Sequence, residues 1–189
     1  MRDALCFIKQ SIGHFRQTGA LIPSSGRLAR AMVDAIQLQD DAQILVELGP
    51  GTGVFTRQLR ERFPGNHLLA VEFNEVLAAR LQQAMPEIEM IVGCASELRR
   101  HLDQRGIPVE RIGAVVSGLP LLSLPRPVRE AILNGLGDVL VPGRRYVQFT
   151  YSRRAWKRYH LPGFRREEPR RVWMNVPPAS VLAFTRVEN

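Results

Sequence analysis

Glu47, Gly49, Gly51, Gly53 and Glu72 are the residues of this 189-residue sequence whose types and spacing could do chemistry. In residues 44–59, ILVELGPGTGVFTRQL, an apolar run breaks at Glu47, three glycines follow, and a helical pattern begins. Glycines there clear side chains so that a ligand can approach the backbone. The turn from a strand into a helix is also the crevice where open α/β sheets bind ligands. The pattern is Gly-x-Gly-x-Gly, with Pro50 and Thr52 between, whereas a dinucleotide fingerprint sets its third glycine deeper in the helix. Glu72 closes the next apolar run, HLLAVEF, about twenty residues on, where a carboxylate accepts hydrogen bonds from both ribose hydroxyls and repels a 2′-phosphate.

Glu47 can receive a ligand ammonium through bound water or amide contacts. Two acids facing one pocket suit a ligand with a positive centre and a ribose, and Glu47 would be a poor neighbour for a pyrophosphate. S-adenosylmethionine has a sulfonium, an amino group and a ribose, so it is the expected cofactor. The cysteines, Cys6 and Cys94, match no metal or redox spacing, and no metal is expected.

The elements that must position these residues are legible as an alternation. QILVEL precedes a helix over 52–63, HLLAVEF one over 74–85, EIEMIVG one near 96–104, and IGAVVSG one over about 127–140; RYVQFTY is a fifth strand. Near-continuous apolar runs predict strands covered on both faces, hence a parallel sheet between helices. Thr52 or Gly51 can begin the first of these helices, Asn74 can cap the second, and Pro127 suits a first turn. At the end of the chain RRVWMNV and ASVLAFTRV, joined by two prolines, read as a hairpin. Two helices precede the sheet. Residues 3–16 place Leu5, Ile8, Ile12 and Phe15 on one face, and residues 26–38 follow Ser24 and Ser25 as capping residues. The expected organisation is N-terminal helices over 1–40, packed on the core or lying at a membrane, and one domain over 41–189.

No apolar run approaches the ~18 residues of a spanning helix, and the N-terminus does not read as a signal peptide, so a reduced, cytoplasmic setting is expected. Net charge is +8, and it is unevenly spread. Residues 1–152 carry 17 Lys/Arg against 15 Asp/Glu, while residues 153–171 carry 8 against 2. Trp156, Tyr159 and Phe164 are interleaved with those cations, a composition that suits anionic lipid or stacked bases.

VELGPGTG resembles the first motif of class I S-adenosylmethionine-dependent methyltransferases, and AVEF the second. That resemblance implies a Rossmann-like, mostly parallel seven-stranded sheet whose last strand inserts antiparallel. It also implies a cofactor held by Glu47, Gly49, Pro50, Gly51, Thr52, Gly53, Glu72, Phe73, Cys94, Ala95, Ser117 and Gly118. In this class the end of the fourth strand faces the transferred methyl. Adenine methyltransferases place Asn or Asp, then Pro, then an aromatic ring there, whereas this chain has Ser117-Gly118-Leu119-Pro120-Leu121. The amide or acid and the ring that hold a flipped-out base are missing.

GALIPSSGRLARAM, VELGPGTGVFT, VVSGLPLLSLP, YVQFTY and NVPPASV together resemble the soluble, peripheral bacterial phospholipid N-methyltransferases. The resemblance implies transfer of a methyl from S-adenosylmethionine to the amine of phosphatidylethanolamine, or of a related amino-lipid such as ornithine lipid. Its partner would be an anionic membrane surface, with no stable nucleic-acid partner, and the enzyme would sit peripherally on the cytoplasmic membrane. Tyr151 and Ser117 are the candidate catalytic residues, with Tyr151 orienting the amine or the lipid phosphate. Arg153, Arg154, Lys157, Arg158 and His160 are the candidate lipid-phosphate contacts. Family members usually carry Asp in a Gly-Asp-Ala stretch after strand three, against the adenine amino group, where this chain has Cys94; Ser96 or a backbone carbonyl could take over. Two rivals stand beside this reading: an RNA or DNA adenine methyltransferase, and a protein that binds cofactor or lipid without turnover.

Overall fold

The computed structural model describes residues 26–39, 42–152 and 161–188. The amphipathic segment 3–16, the caps Ser24 and Ser25, and the five proposed lipid-phosphate contacts from Arg153 to His160 lie outside the described residues. One sheet contains β1 (Ile44–Leu48), β2 (His67–Glu72), β3 (Glu89–Val92), β4 (Ile112–Ser117), β5 (Arg145–Thr150), β6 (Phe164–Arg166), β7 (Arg170–Val172) and β8 (Ala179–Arg186). Its order is β3-β2-β1-β4-β5-β8-β6, with β7 also on β8. The first five strands pair in parallel. β8 is antiparallel to β5 and to both short strands beyond it.

β6 and β7 pair with successive stretches of the same edge of β8, so they fill the place of one strand broken at residues 167–169. The break is held rather than loose. The Glu167 amide donates to the Ala183 carbonyl at 2.9 Å, and its carboxylate accepts from Thr185 Oγ1 and pairs with the Arg145 guanidinium. Pro169 has no amide to give a ladder. The sheet thus has the seven places and the antiparallel insertion expected of the class. The basic stretch, read from sequence as a surface patch, also supplies these two edge strands.

The hairpin differs in one respect. Its first strand ends at Val172, paired with Ala179, and residues 173–178 form the turn. Asn175 is buried in that turn, where its Nδ2 donates to the Pro177 carbonyl at 2.7 Å, so the chain bends before the two prolines instead of extending to them.

Helices cover both faces, which is why β1 is apolar nearly throughout and buried at every residue. α1 (Gly26–Asp34), α2 (Val54–Arg62) and α3 (Glu75–Ala84) lie over one face, where Leu28, Met32, Phe55, Leu59 and Leu81 pack on Leu45, Val116 and Phe149. α4 (Leu98–Asp103) and α5 (Arg126–Val139) cover the other, through Leu98, Leu102, Ile132 and Leu136 against Val46, Leu48 and Tyr146. α2 starts later than expected. Gly53 at its N-cap is left-handed, at φ 79°, so the turn consumes Thr52 before helical geometry begins. α3 is capped as expected, with Asn74 Oδ1 accepting from the Leu77 amide at 3.1 Å.

Candidate active site

The five parallel strands deliver their carboxyl ends to one rim, and the glycine turn sits there after β1. Gly49, Gly51 and Gly53 have φ of 69°, 57° and 79°, a region that side chains with a Cβ enter at a cost. The three do different things. A Cβ on Gly49 would strike the Leu119 side chain, and one on Gly53 would lie 2.6 Å from Leu81 Cδ1. A Cβ on Gly51 would meet nothing within 4 Å, so its backbone faces open space and is the part of the turn a ligand can approach. Pro50 is buried and Thr52 exposed, with the Thr52 carbonyl accepting from Arg57 at 3.1 Å.

Glu72 ends β2 beside this turn. Its Oε2 accepts from the Gly51 amide at 3.1 Å and its Oε1 from the Asn74 amide at 2.8 Å. The carboxylate therefore fixes the turn and the start of α3. Each oxygen keeps a lone pair for a ribose hydroxyl.

Glu47 points to the α2 side of β1, the side of Leu45, and is fully buried. Neither carboxylate oxygen has a well-formed hydrogen bond among the described residues; the Thr56 hydroxyl stands beside it and favours its charged form only in part. Burial pushes the Glu47 carboxyl from 4.5 to about 8; Thr56 and Arg57 pull it down and the Glu72 charge pushes it up. A buried acid without a well-formed donor is costly unless protonated or supplied with a cation. Two acids within electrostatic reach, one aimed at an open glycine backbone and one lacking a well-formed donor, fit a cationic ribonucleoside.

The loop after β3 completes that side of the crevice. The Gly93 amide donates to the Glu72 carbonyl at 3.0 Å, which sets Cys94 beside the end of β2. Cys94 is buried, and its Sγ lies 2.9 Å from Ser96 Oγ. Ser96 is thus engaged with the cysteine. The His101 imidazole, held below its usual range by burial, donates from Nε2 to the Cys94 carbonyl at 3.2 Å. Phe73 and Ala95 are half-buried against the same core.

At the end of β4 two backbones touch. The Gly118 amide donates to the Leu48 carbonyl at 2.8 Å. A Cβ there would lie 2.7 Å from the Gly49 carbonyl and 3.2 Å from Phe55. Ser117 is fully buried, and its Oγ accepts from the Leu119 amide at 3.3 Å, so it shapes the turn that follows. Gln148 was missed by sequence reasoning. From β5 its Nε2 donates to the Leu119 carbonyl at 3.0 Å, while its Oε1 accepts from the Tyr146 hydroxyl at 2.6 Å. The signal was present: a lone amide in YVQFTY, inside a strand covered on both faces. His101 gave no such signal. Tyr151 lies just beyond β5, half-buried, edge-on to Phe149 at 5.3 Å, and Phe149 contacts Phe55 at 5.7 Å. That row of rings ends behind Gly118.

A model of the ribosomal RNA adenine dimethylase family matches residues 24–92. The ornithine lipid N-methyltransferase of Singulisphaera acidiphila is 30% identical over 187 residues, covering 95% of this chain and 94% of the relative. Ribosomal RNA small subunit methyltransferase A of Thiobacillus denitrificans is 35% identical over 86 residues, 46% of this chain, and the chain spans 32% of it. Among solved structures, a 1,6-didemethyltoxoflavin-N1-methyltransferase from Burkholderia thailandensis superposes with a TM-score of 0.72 at 14% identity, over 99% of this chain and 90% of that one. The N-methyltransferase NodS from Bradyrhizobium japonicum gives 0.65 at 15% identity, over 89% and 91%. These two show the fold. The cofactor is S-adenosylmethionine, whose sulfonium, amine and ribose fit the two acids and the glycine turn. The full-length match to the ornithine lipid enzyme places the chain in the bacterial phospholipid N-methyltransferase family of class I S-adenosylmethionine-dependent methyltransferases.

Proposed function

We propose that the protein methylates the amine of an amino-phospholipid headgroup, phosphatidylethanolamine towards phosphatidylcholine or a related amino-lipid, at a membrane surface. The observation that carries this is the stretch after β4. Adenine methyltransferases of this class place an amide or acid and an aromatic ring there, to hold a flipped-out base. Here the Ser117 hydroxyl is buried in the backbone turn, the Leu119 carbonyl accepts from Gln148, Leu121 is buried in the core, and Leu119 and Leu122 offer only alkyl side chains. The match to the rRNA adenine dimethylase model covers residues 24–92, which hold the glycine turn and Glu72.

When bound, S-adenosylmethionine supplies an electrophilic methyl group. Glu47, Glu72 and the 49–53 turn would hold it, with Cys94 and Ala95 at the adenine end. The chain's share of the chemistry is chiefly alignment and exclusion of water. Leu119, packed against Gly49, gives this rim an apolar wall beside which a headgroup ammonium, desolvated near a cationic cofactor, gives up its proton to solvent more easily. Tyr151, at the end of the ring row, orients the amine or the phosphate. Among the described residues no helix is long and apolar enough to cross a membrane. The protein would dock peripherally, each cation near an anionic leaflet adding about 1 kcal/mol, with Arg153, Arg154, Lys157, Arg158 and His160 among the contacts.

The test is methyl transfer from labelled S-adenosylmethionine, offered separately phosphatidylethanolamine vesicles, ornithine lipid and total RNA. Label in the lipid extract is expected. Label in RNA alone would put the adenine methyltransferase in its place.

A further inference from the structure

The turn between β7 and β8 carries an exposed apolar tip that the crevice does not use. Trp173, Met174 and Val176 are 65%, 67% and 77% exposed. The turn is built to display them: Asn175, between them, is buried and bonded to the Pro177 carbonyl, so its neighbours are turned outward. Arginines flank the tip. Arg171 stacks on the Trp173 ring at 4.7 Å, and a groove of about 320 Å³ between α1 and β7 is lined by Arg27, Arg30, Arg170 and Arg171 together with the single acid Asp34. Asp34 is occupied by Arg170 at 3.3 Å.

Position gives the tip its meaning. β8 begins where β5 ends, with Thr150 opposite Ser180, so the turn preceding β8 stands on the same rim as the glycine turn and the β4 loop. We infer that the 173–178 turn, with Arg27, Arg30 and Arg171 beside it, inserts into an anionic bilayer and brings the crevice mouth down to the lipid. This rests on the amino-lipid reading above and names the surface that serves it. A ring with a polar edge next to cations suits the boundary between headgroups and acyl chains. Met174 and Val176 have no face for stacking and no group for reading a base, so the composition favours lipid over nucleic acid. A second copy of the chain would set arginines against arginines.

The sequence contains two tryptophans, and Trp156→Phe leaves Trp173 as the sole reporter. With vesicles of phosphatidylethanolamine and phosphatidylglycerol, Trp173 emission shifts to the blue and is quenched by acyl chains brominated near the headgroup. Vesicles that sediment the protein while leaving Trp173 emission unchanged overturn the inference, as does quenching by an oligoribonucleotide with none by vesicles. Trp173→Ser combined with Met174→Ser and Val176→Ser lowers vesicle affinity on the order of a hundredfold, as loss of three partly buried apolar side chains implies. The same variant keeps S-adenosylmethionine affinity and turnover of a short-chain amino-lipid held below its micelle concentration. Equal loss on vesicles and on the monomeric lipid would overturn the membrane role. If the parent protein turns over neither lipid, the amino-lipid reading fails, while Trp173 quenching still decides whether the tip enters a bilayer.

Discussion

Cofactor binding near neutral pH should expel a proton from Glu47. In the unliganded protein burial holds this carboxyl at about 8, well above its ordinary 4.5. Near pH 7 it is then ~90% protonated. A ligand cation beside it favours the charged form and pulls the value back toward the ordinary range. Binding therefore releases ~0.9 proton, and affinity climbs close to tenfold per pH unit below about pH 8, then levels. The sign for stability runs the other way. An acid whose folded value is raised has no effect below 4.5, where folded and unfolded chains are both protonated. It then weakens the fold as pH rises toward about 8, by up to ~5 kcal/mol at ~1.4 kcal/mol per unit. Titration calorimetry with S-adenosylhomocysteine near pH 7, in two buffers of different ionisation heat, counts the proton directly. Thermal melts of the unliganded protein across the same range read the stability. Glu47→Gln should abolish the buffer dependence attributable to this site and flatten the melts. Identical heats in both buffers for the parent, or proton release unchanged in Glu47→Gln, would refute the reasoning.

Glu72→Ala removes the acceptor of two backbone amides together with the proposed ribose contact, so cofactor affinity should fall at least ~100-fold, at about 1.5–3 kcal/mol for each bond to a charged group; equilibrium binding reads this. Gly118→Ala should unfold the rim rather than tune it, since the new Cβ meets the Gly49 carbonyl, and a melting temperature equal to the parent's would contradict the backbone contact. Gln148→Leu removes both the bond to the Leu119 carbonyl and the bond from the Tyr146 hydroxyl, costing about 1–3 kcal/mol in denaturant unfolding, with turnover falling more than cofactor affinity. Cys94→Asp restores the residue usual in the family and should tighten S-adenosylmethionine by roughly tenfold, one charge-assisted bond to the adenine amine. Unchanged affinity there would mean that the Cys94–Ser96 pair is not at the adenine.

The geometry of the glycine turn and of Glu72 was legible because it is local. Gly49, Gly51 and Gly53 lie within one turn, and Glu72 ends the next strand, so their spacing carries their geometry. Asn74 was legible for the same reason: a cap acts three residues away. What sequence reasoning missed depends on how distant or non-periodic segments are brought together. Gln148 reaches the carbonyl of Leu119 from a neighbouring strand, and His101 reaches back over a turn to Cys94; neither partner is implied by its own neighbourhood. Glu47 shows the boundary between the two. Its type and place marked it as a ligand contact, but only the packing of α2 over β1 shows that it lies fully buried without a well-formed donor. The edge strand shows the converse. β7 lies within the expected strand RRVWMNV, but nothing in FRREE alternates cleanly, because β6 lies at the edge of the sheet with Arg165 and Arg166 turned to solvent, and its pairing is dictated by the long, buried β8. The chain therefore reads as a cofactor site written in short range and an acceptor site assembled in long range. The family-model match to rRNA adenine dimethylases covers the first three strands, and the match to the ornithine lipid enzyme covers 95% of the chain.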